Sequence, residues 1–161
     1  SYLSSLKTPF EMSNSITLEF IEKANSALKN ASKETLNELF ELGRTSTEQP
    51  AGDWISGKEV LPGVSTMSYY SMGDVADRMM KILYQLDLII ALDWMNWDEG
   101  SALLSGDDLE KLNGLPAHKI VGLLTALARN DRFCDGAWGS AIEKRTVAKL
   151  LDELEKHTNG K

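Results

Sequence analysis

The chain has 161 residues, a formal net charge of −7 and a hydrophobic fraction of 42%. This length suits one domain with a substantial core, and the apolar share is that of an ordinary globular protein, which excludes general disorder. The acidic balance works against sequence-independent attraction to a phosphate backbone, so nucleic acid is not an expected partner.

Apolar runs are short and cysteine is scarce. The longest apolar run, from Leu88 to Leu92, falls far below the roughly 20 residues of a membrane-spanning helix. No basic segment followed by an apolar run is visible at the amino end, and the single Cys134 cannot form an internal disulfide. We therefore expect a cytoplasmic protein without membrane association. The two histidines are far apart and Cys134 has no companion, so no metal or cofactor is expected.

The amino-terminal part of the chain is expected to be an irregular arm followed by a helical hairpin. Residues 1–15 are rich in serine and show no sustained period. Apolar residues then recur at three- and four-residue steps, which predicts a helix over 16–30. Ser32 suits the N-cap of a second helix and Gly43 suits a left-handed stop, so residues 16–43 are predicted to form a helical hairpin.

Residues 44–71 break the helical period. The interruptions are Pro50, Gly52, Gly57, Pro62 and Gly63. A loop of this length is unusual inside a compact domain unless it contains short elements or serves a function. A short hairpin around Trp54–Val64 is the element that this segment allows.

From residue 72 onward the helical spacing returns, and residues 72–157 are predicted to form the helical core. The patterns predict a helix over 73–86, one capped by Asp93, a short one over 108–113, one between Pro116 and Gly136, and a last one capped by Thr146. The predicted fold is mainly α: residues 1–161 form a single-domain irregular bundle of about six helices.

Two stretches concentrate aromatic and charged side chains, residues 93–100 and residues 129–138. We expect them to meet in space, with Arg129 or Arg132 paired with an acid of the first stretch. Together they supply the candidate binding residues Trp94, Trp97, Asp98, Glu99, Arg129, Asp131, Arg132 and Trp138.

Each stretch also has a purely structural interpretation. Tryptophans are usual in helical cores, and adjacent carboxylates such as Asp98 and Glu99 point about 100° apart around a helix axis. Arg132 can form an ion pair with Asp131 or Asp135 at a helix end, or it can present its planar fork to an acidic ligand or a partner carboxylate.

Cys134 lies at the same predicted helix end. A flanking acid and a helix carboxyl end both disfavour a thiolate, so we expect a buried structural thiol. Nucleophilic chemistry is not predicted at this position.

The same two stretches carry a resemblance to a known family. Leu92-Asp93-Trp94-Met95-Asn96-Trp97, Glu99-Gly100 and the run from Leu123 to Gly136 resemble a family of small prokaryotic proteins of unknown function, over about residues 72–155. The resemblance implies a helical core and marks these stretches as the family's signature. It implies no activity.

Two classes of function fit this sequence. The favoured one is a non-enzymatic protein-interaction or regulatory module that binds a protein partner through its Trp/Arg/Asp surface, because no nucleotide-binding glycine motif and no nucleophile–base pair is visible. The alternative is an enzyme or a binder of a small acidic ligand, with a pocket of Trp94, Trp97, Arg129, Asp131 and Arg132. Convergence of those side chains on one open cavity would favour the alternative.

Overall fold

The computed structural model describes residues 15–159, and these are mainly helical, as predicted. The described part contains seven α-helices: α1 Leu18–Asn30, α2 Lys33–Thr45, α3 Asp74–Gln85, α4 Asp98–Leu104, α5 Ala117–Asn130, α6 Ala137–Glu143 and α7 Thr146–Thr158. Two short 3₁₀ helices, Trp94–Asn96 and Leu109–Leu112, precede α4 and α5. The predicted irregular arm over 1–15 lies outside the described residues, apart from Ser15.

The helical hairpin forms from α1 and α2. Ser32 caps α2 as predicted, because its hydroxyl accepts the backbone N–H of Thr35 at 3.4 Å. Gly43 is not the stop that the sequence suggested, since it lies inside α2 and is buried. A Cβ at Gly43 would lie 2.9 Å from the Cδ1 of Leu151. The glycine therefore allows the close contact of α2 with α7.

Residues 52–72 form an antiparallel β ribbon rather than a loop. Strand β1 (Gly52–Ile55) pairs with β4 (Tyr69–Met72), and β2 (Glu59–Leu61) pairs with β3 (Val64–Ser65). The chain reverses at Gly63, whose φ of +77° is the conformation that glycine adopts without strain. This ribbon is longer than the hairpin expected at 54–64. Its strands are too exposed to show a buried alternation in the sequence.

The carboxyl-terminal half departs from the prediction at three helix boundaries. The side chain of Asp93 accepts the Asn96 amide instead of capping a helix, and an α-helix begins only at Asp98. Helix α5 ends at Asn130, so the predicted continuation to Gly136 is wrong and α6 is an additional helix. Thr146 is the first residue of α7 rather than its cap.

Helices α5 and α7 form the centre of the core. Helix α5 contacts α1, α4, α6 and α7, which explains why residues all around it are buried. Leu123, Leu124, Leu150 and Leu154 are fully buried, and each contributes about 1.5–3 kcal/mol through the removal of apolar surface from water. Within residues 15–159, none of the helices is long and apolar enough to cross a membrane.

One buried carboxylate joins α7 to the turn before α5. Glu153 accepts a hydrogen bond from the Lys156 ammonium at 2.5 Å and from the backbone N–H of Gly114 at 2.9 Å, with Lys149 at 3.5 Å. These donors lower the pKa of Glu153 to about 2. The core is therefore closed at this point by a satisfied polar network.

Candidate functional site

The base of the ribbon is anchored by Tyr70. Its backbone N–H donates to Asp135 Oδ2 at 2.7 Å, and its ring lies against three glycines of which two belong to the segment 136–139. A Cβ at Gly139 would lie 2.1 Å from the Tyr70 hydroxyl, and one at Gly52 would lie 2.7 Å from it. Small residues on both sides therefore make room for one large ring.

The Tyr70 hydroxyl has an unusual environment for a buried polar group. It has no hydrogen-bond partner within the described residues. Burial, together with the negative charges of Glu143, Asp53 and Asp131, raises the pKa of Tyr70. The hydroxyl is therefore neutral and serves the ribbon through packing.

Sequence reasoning did not single out Tyr70, because its pairing depends on an irregularity in the ribbon. Trp54 and Tyr70 lie at equal distances from Pro62 along the chain, and they are direct partners in the β1–β4 ladder. Their rings meet edge to face, with centroids 5.4 Å apart. A two-residue turn at Pro62-Gly63 alone would place Ser71 opposite Trp54, and the register shift between Glu59 and Leu61 brings Tyr70 there instead.

Two adjoining cavities lie beside the ribbon base. The larger one, of about 530 Å³, is lined by residues that include Trp54, Tyr70, Cys134 and Glu143. The smaller one, of about 310 Å³, is lined by Trp94 and Trp97 among others. Both include Leu104, Leu127 and Asn130, so the first candidate stretch and the ribbon open onto neighbouring parts of the surface.

A cavity of about 650 Å³ lies away from the candidate residues. It is an open depression between α1, α2 and the link that follows α3. None of the eight candidate residues lines it. Its walls mix short polar side chains with aliphatic ones, which defines no particular ligand chemistry.

Two of the candidate tryptophans belong to the core. Trp97 and Trp138 are fully buried, and Gly100 and Gly122 lie against the Trp97 ring. The indole N–H of Trp138 donates to the backbone oxygen of Ala76 at 3.0 Å, whereas that of Trp97 has no partner among the described residues. Trp138 is therefore a core residue, because its ring is buried and its N–H is bonded within the chain.

The two stretches meet, as predicted, but through aromatic rings rather than ion pairs. Trp94 and Phe133 have ring centroids 6.0 Å apart. Glu99 pairs with Lys119 at 2.9 Å and Asp93 holds Asn96, so the expected partnership of these acids with Arg129 or Arg132 is wrong. Asp98 is exposed at the first turn of α4.

The expected ion pair of Arg132 with its neighbouring acids is also wrong. Asp131 Oδ1 accepts the backbone N–H of Trp138 at 3.0 Å, and Asp135 accepts that of Tyr70. Arg132 instead donates to the Tyr84 hydroxyl at 3.4 Å. Asp131 therefore stabilises the 131–138 turn, and Asp135 joins this turn to the ribbon, because each satisfies a backbone donor, which the sequence pattern does not reveal.

Arg129 lies on the same tyrosine as Arg132. Its guanidinium carbon is 5.9 Å from the centroid of the Tyr84 ring, within the range of a cation–π contact. Neither arginine lines the two cavities beside the ribbon, and neither does Asp131. The candidate residues therefore do not form one common pocket.

Cys134 is exposed, so the expectation of a buried thiol is wrong. The turn that ends α5 carries the chain outward at this position, and the side chain lies at the rim of the larger cavity. Among residues 15–159, no three histidine, cysteine, aspartate or glutamate side chains are grouped so that they could hold a metal ion.

The chain belongs to a Family of unknown function (DUF6508), whose model matches residues 23–160. The match takes in the ribbon as well as both candidate stretches. No curated protein and no solved structure matches the chain.

Proposed function

We propose that this chain is a non-enzymatic protein-interaction module and that the ribbon, residues 52–72, is its principal contact surface. The proposal rests on the distribution of exposed apolar side chains. Of ten large exposed apolar residues in the described part, six belong to the ribbon: Trp54, Val60, Leu61, Val64, Met67 and Tyr69. Exposed apolar residues that cluster in this way are typical of protein-binding surfaces.

The ribbon also offers open strand edges. Within the described residues each ladder has two strands, so the outer backbone N–H and C=O groups of the ribbon have no third strand beside them. An extended segment of a partner can pair with such an edge while its side chains cover the apolar residues. This geometry supports a protein partner better than a small ligand.

A two-stranded ribbon is marginally stable in water on its own. Here its base is fixed to the helices by Tyr70 and Asp135, while its tip, from Lys58 to Thr66, is exposed throughout. A fixed base reduces the conformational entropy that the ribbon loses when it binds. The arrangement therefore suits a preorganised interaction arm.

The alternative of a Trp/Arg/Asp pocket has less support. Arg129, Asp131 and Arg132 line neither cavity beside the ribbon. We further propose that the two candidate stretches are shared by the family. Their role, in this proposal, is to support the face beside the ribbon. We also propose cytoplasmic localisation and a single domain over 1–161.

Photo-crosslinking tests the proposed surface. A benzophenone amino acid at Val64 or Met67 should capture the same protein in cells, and the same residue at the exposed Glu22 of α1 should not. The captured protein is then purified, and its affinity for the chain is measured by calorimetry. Capture of that protein from Glu22 as well would contradict the proposal.

A triple substitution at the tip provides the quantitative test. Val60→Ser, Leu61→Ser and Val64→Ser together should weaken binding of the captured protein by at least about tenfold, since they remove the exposed large apolar side chains of the tip. Stability should change little because all three side chains are exposed. The matched control changes three exposed helical residues, Glu22, Lys29 and Asn37, to serine. Equal affinities of the two triple variants would exclude the ribbon as the contact surface.

A further inference from the structure

Two arginines of the described residues, Arg129 and Arg132, share one tyrosine, Tyr84. Arg129 stacks on Tyr84, and Arg132 donates to its hydroxyl. Neither forms an ion pair with a described carboxylate. Two guanidinium groups on one side chain repel each other, and a bound anion would remove that repulsion.

Of the other three arginines in this acidic chain, Arg44 and Arg78 form ion pairs with described carboxylates, and Arg145 does not. Arg44 contacts Glu41 at 3.0 Å and Glu155 at 2.7 Å, and Arg78 holds Glu38 through two hydrogen bonds. A shortage of carboxylates therefore does not explain the arginines beside Tyr84.

Local geometry directs the nearest acids elsewhere. Asp131 and Asp135 are engaged by the backbone N–H groups of Trp138 and Tyr70. The bond of Asp131 helps to form the turn between α5 and α6, and the bond of Asp135 fixes the ribbon to that turn, so both carboxylates serve the fold. The planar forks of Arg129 and Arg132 are thus left for a carboxylate from outside the described chain.

Aromatic surface continues from the arginines. Phe133 follows Arg132 directly, is 71% exposed, and contacts Trp94. Arginine and aromatic residues are the types that carry most binding energy in protein interfaces. A free phosphate ion would satisfy the arginines but would leave Phe133 in water, whereas a protein segment can cover both.

We propose that Arg129 and Arg132, with Phe133 beside them, bind an acidic segment of the partner that carries an apolar side chain next to its carboxylates. The inference rests on the proposed function, because it names the chemistry of the partner. It adds a second contact that is separate from the apolar tip of the ribbon.

A defined peptide probe tests this contact. A short blocked peptide of glutamate and leucine is titrated into the full chain, and the arginine Nε–H and tryptophan Nε1–H signals are followed by NMR. Shifts should centre on Arg129, Arg132 and Trp94. The Arg129→Gln/Arg132→Gln variant should bind the peptide at least about tenfold more weakly, since it keeps hydrogen-bonding groups but loses both charges.

The control variant Lys29→Gln/Lys33→Gln removes the same charge from exposed positions outside the ribbon and should bind the peptide like the wild type. The same peptide with glutamine in place of glutamate should bind at least about tenfold more weakly. Equal binding of both peptides, or equal weakening by both double variants, would overturn the inference. So would inorganic phosphate or single-stranded nucleic acid that competes for the same signals as well as the glutamate peptide does.

The two proposals fail separately. If the tip triple variant loses the captured partner while the arginine variant binds both partner and peptide normally, only the acidic contact is wrong. If the arginine variant loses peptide and partner while the tip triple variant keeps the partner, the ribbon proposal is wrong and the acidic contact stands.

Discussion

Side chains differ in burial and in pairing between two regions, the core around α5 and α7 and the face that carries the ribbon. In the core, leucines are fully buried and the carboxylate of Glu153 is bound by three donors from its own chain. On the ribbon, apolar side chains lie in solvent, and nearby the arginines beside Tyr84 lack a carboxylate. Under the proposed function, the core is the support and the face that carries the ribbon is the contact surface.

The largest expected effect comes from a tryptophan of the core. Trp138→Ala should lower the free energy of unfolding by about 3–5 kcal/mol, because a fully buried indole and its hydrogen bond to Ala76 are lost. Trp54→Ala on the ribbon should cost about 1 kcal/mol, since that ring is mostly exposed and contacts mainly Tyr70 and Gly136. Denaturant melts of both variants measure the difference. Similar losses would remove the distinction between the two regions.

The Glu153 network predicts a pH dependence. Its pKa of about 2 in the folded chain lies below the ordinary 4.5, so the charged carboxylate adds stability above pH 4.5 that is lost as pH falls towards 2. Water screens the ion pair with the solvent-exposed Lys156, so we expect the charged carboxylate to contribute about 2 kcal/mol to the free energy of unfolding. Glu153→Gln should remove that amount at neutral pH and flatten the stability profile in this interval. Chemical denaturation from pH 2 to pH 7 measures both, and an unaltered slope in the variant would contradict the assignment.

The same contrast explains what the sequence could predict. Helix α3 was predicted to within one residue at each end because its apolar spacing is local information. The predicted break after Asn30 and the Ser32 cap are also local, and both are present. Helix α6 was missed because Asp131, which organises the turn before it, gives no periodic signal.

The candidate site was harder to predict because its residues are defined by contacts between distant segments. Trp94 and Trp97 are three residues apart, yet one is partly exposed and the other is buried. Arg132 lies in a turn and its partner is Tyr84 of helix α3, while the acid beside Arg132 in sequence bonds to a backbone N–H. Spacing along one helix does not contain this information.

A smaller effect is expected from the buried hydroxyl at the ribbon base. Tyr70→Phe removes a buried polar group that has no partner among the described residues, so stability should stay the same or rise by up to about 1 kcal/mol. Trp138→Phe, which removes a bonded indole N–H from the core, should lose stability in the same assay. A loss of more than about 1 kcal/mol in Tyr70→Phe would mean that the hydroxyl is bonded in solution.

The smallest effect separates a structural arginine from a binding one. If Arg132 paired with Asp131 and Asp135 at a partly buried helix end, Arg132→Ala would cost about 1–3 kcal/mol. In the structure both acids are bound to backbone donors, and Arg132 is exposed with one long hydrogen bond to Tyr84. We therefore expect a change within about 0.5 kcal/mol. Arg132→Met, which keeps the long apolar stem, should match Arg132→Ala, because no packing of that stem contributes. Denaturant midpoints of the two variants test this expectation. If Arg132→Ala loses more than about 1 kcal/mol and Arg132→Met does not, the arginine stabilises the fold through its apolar stem.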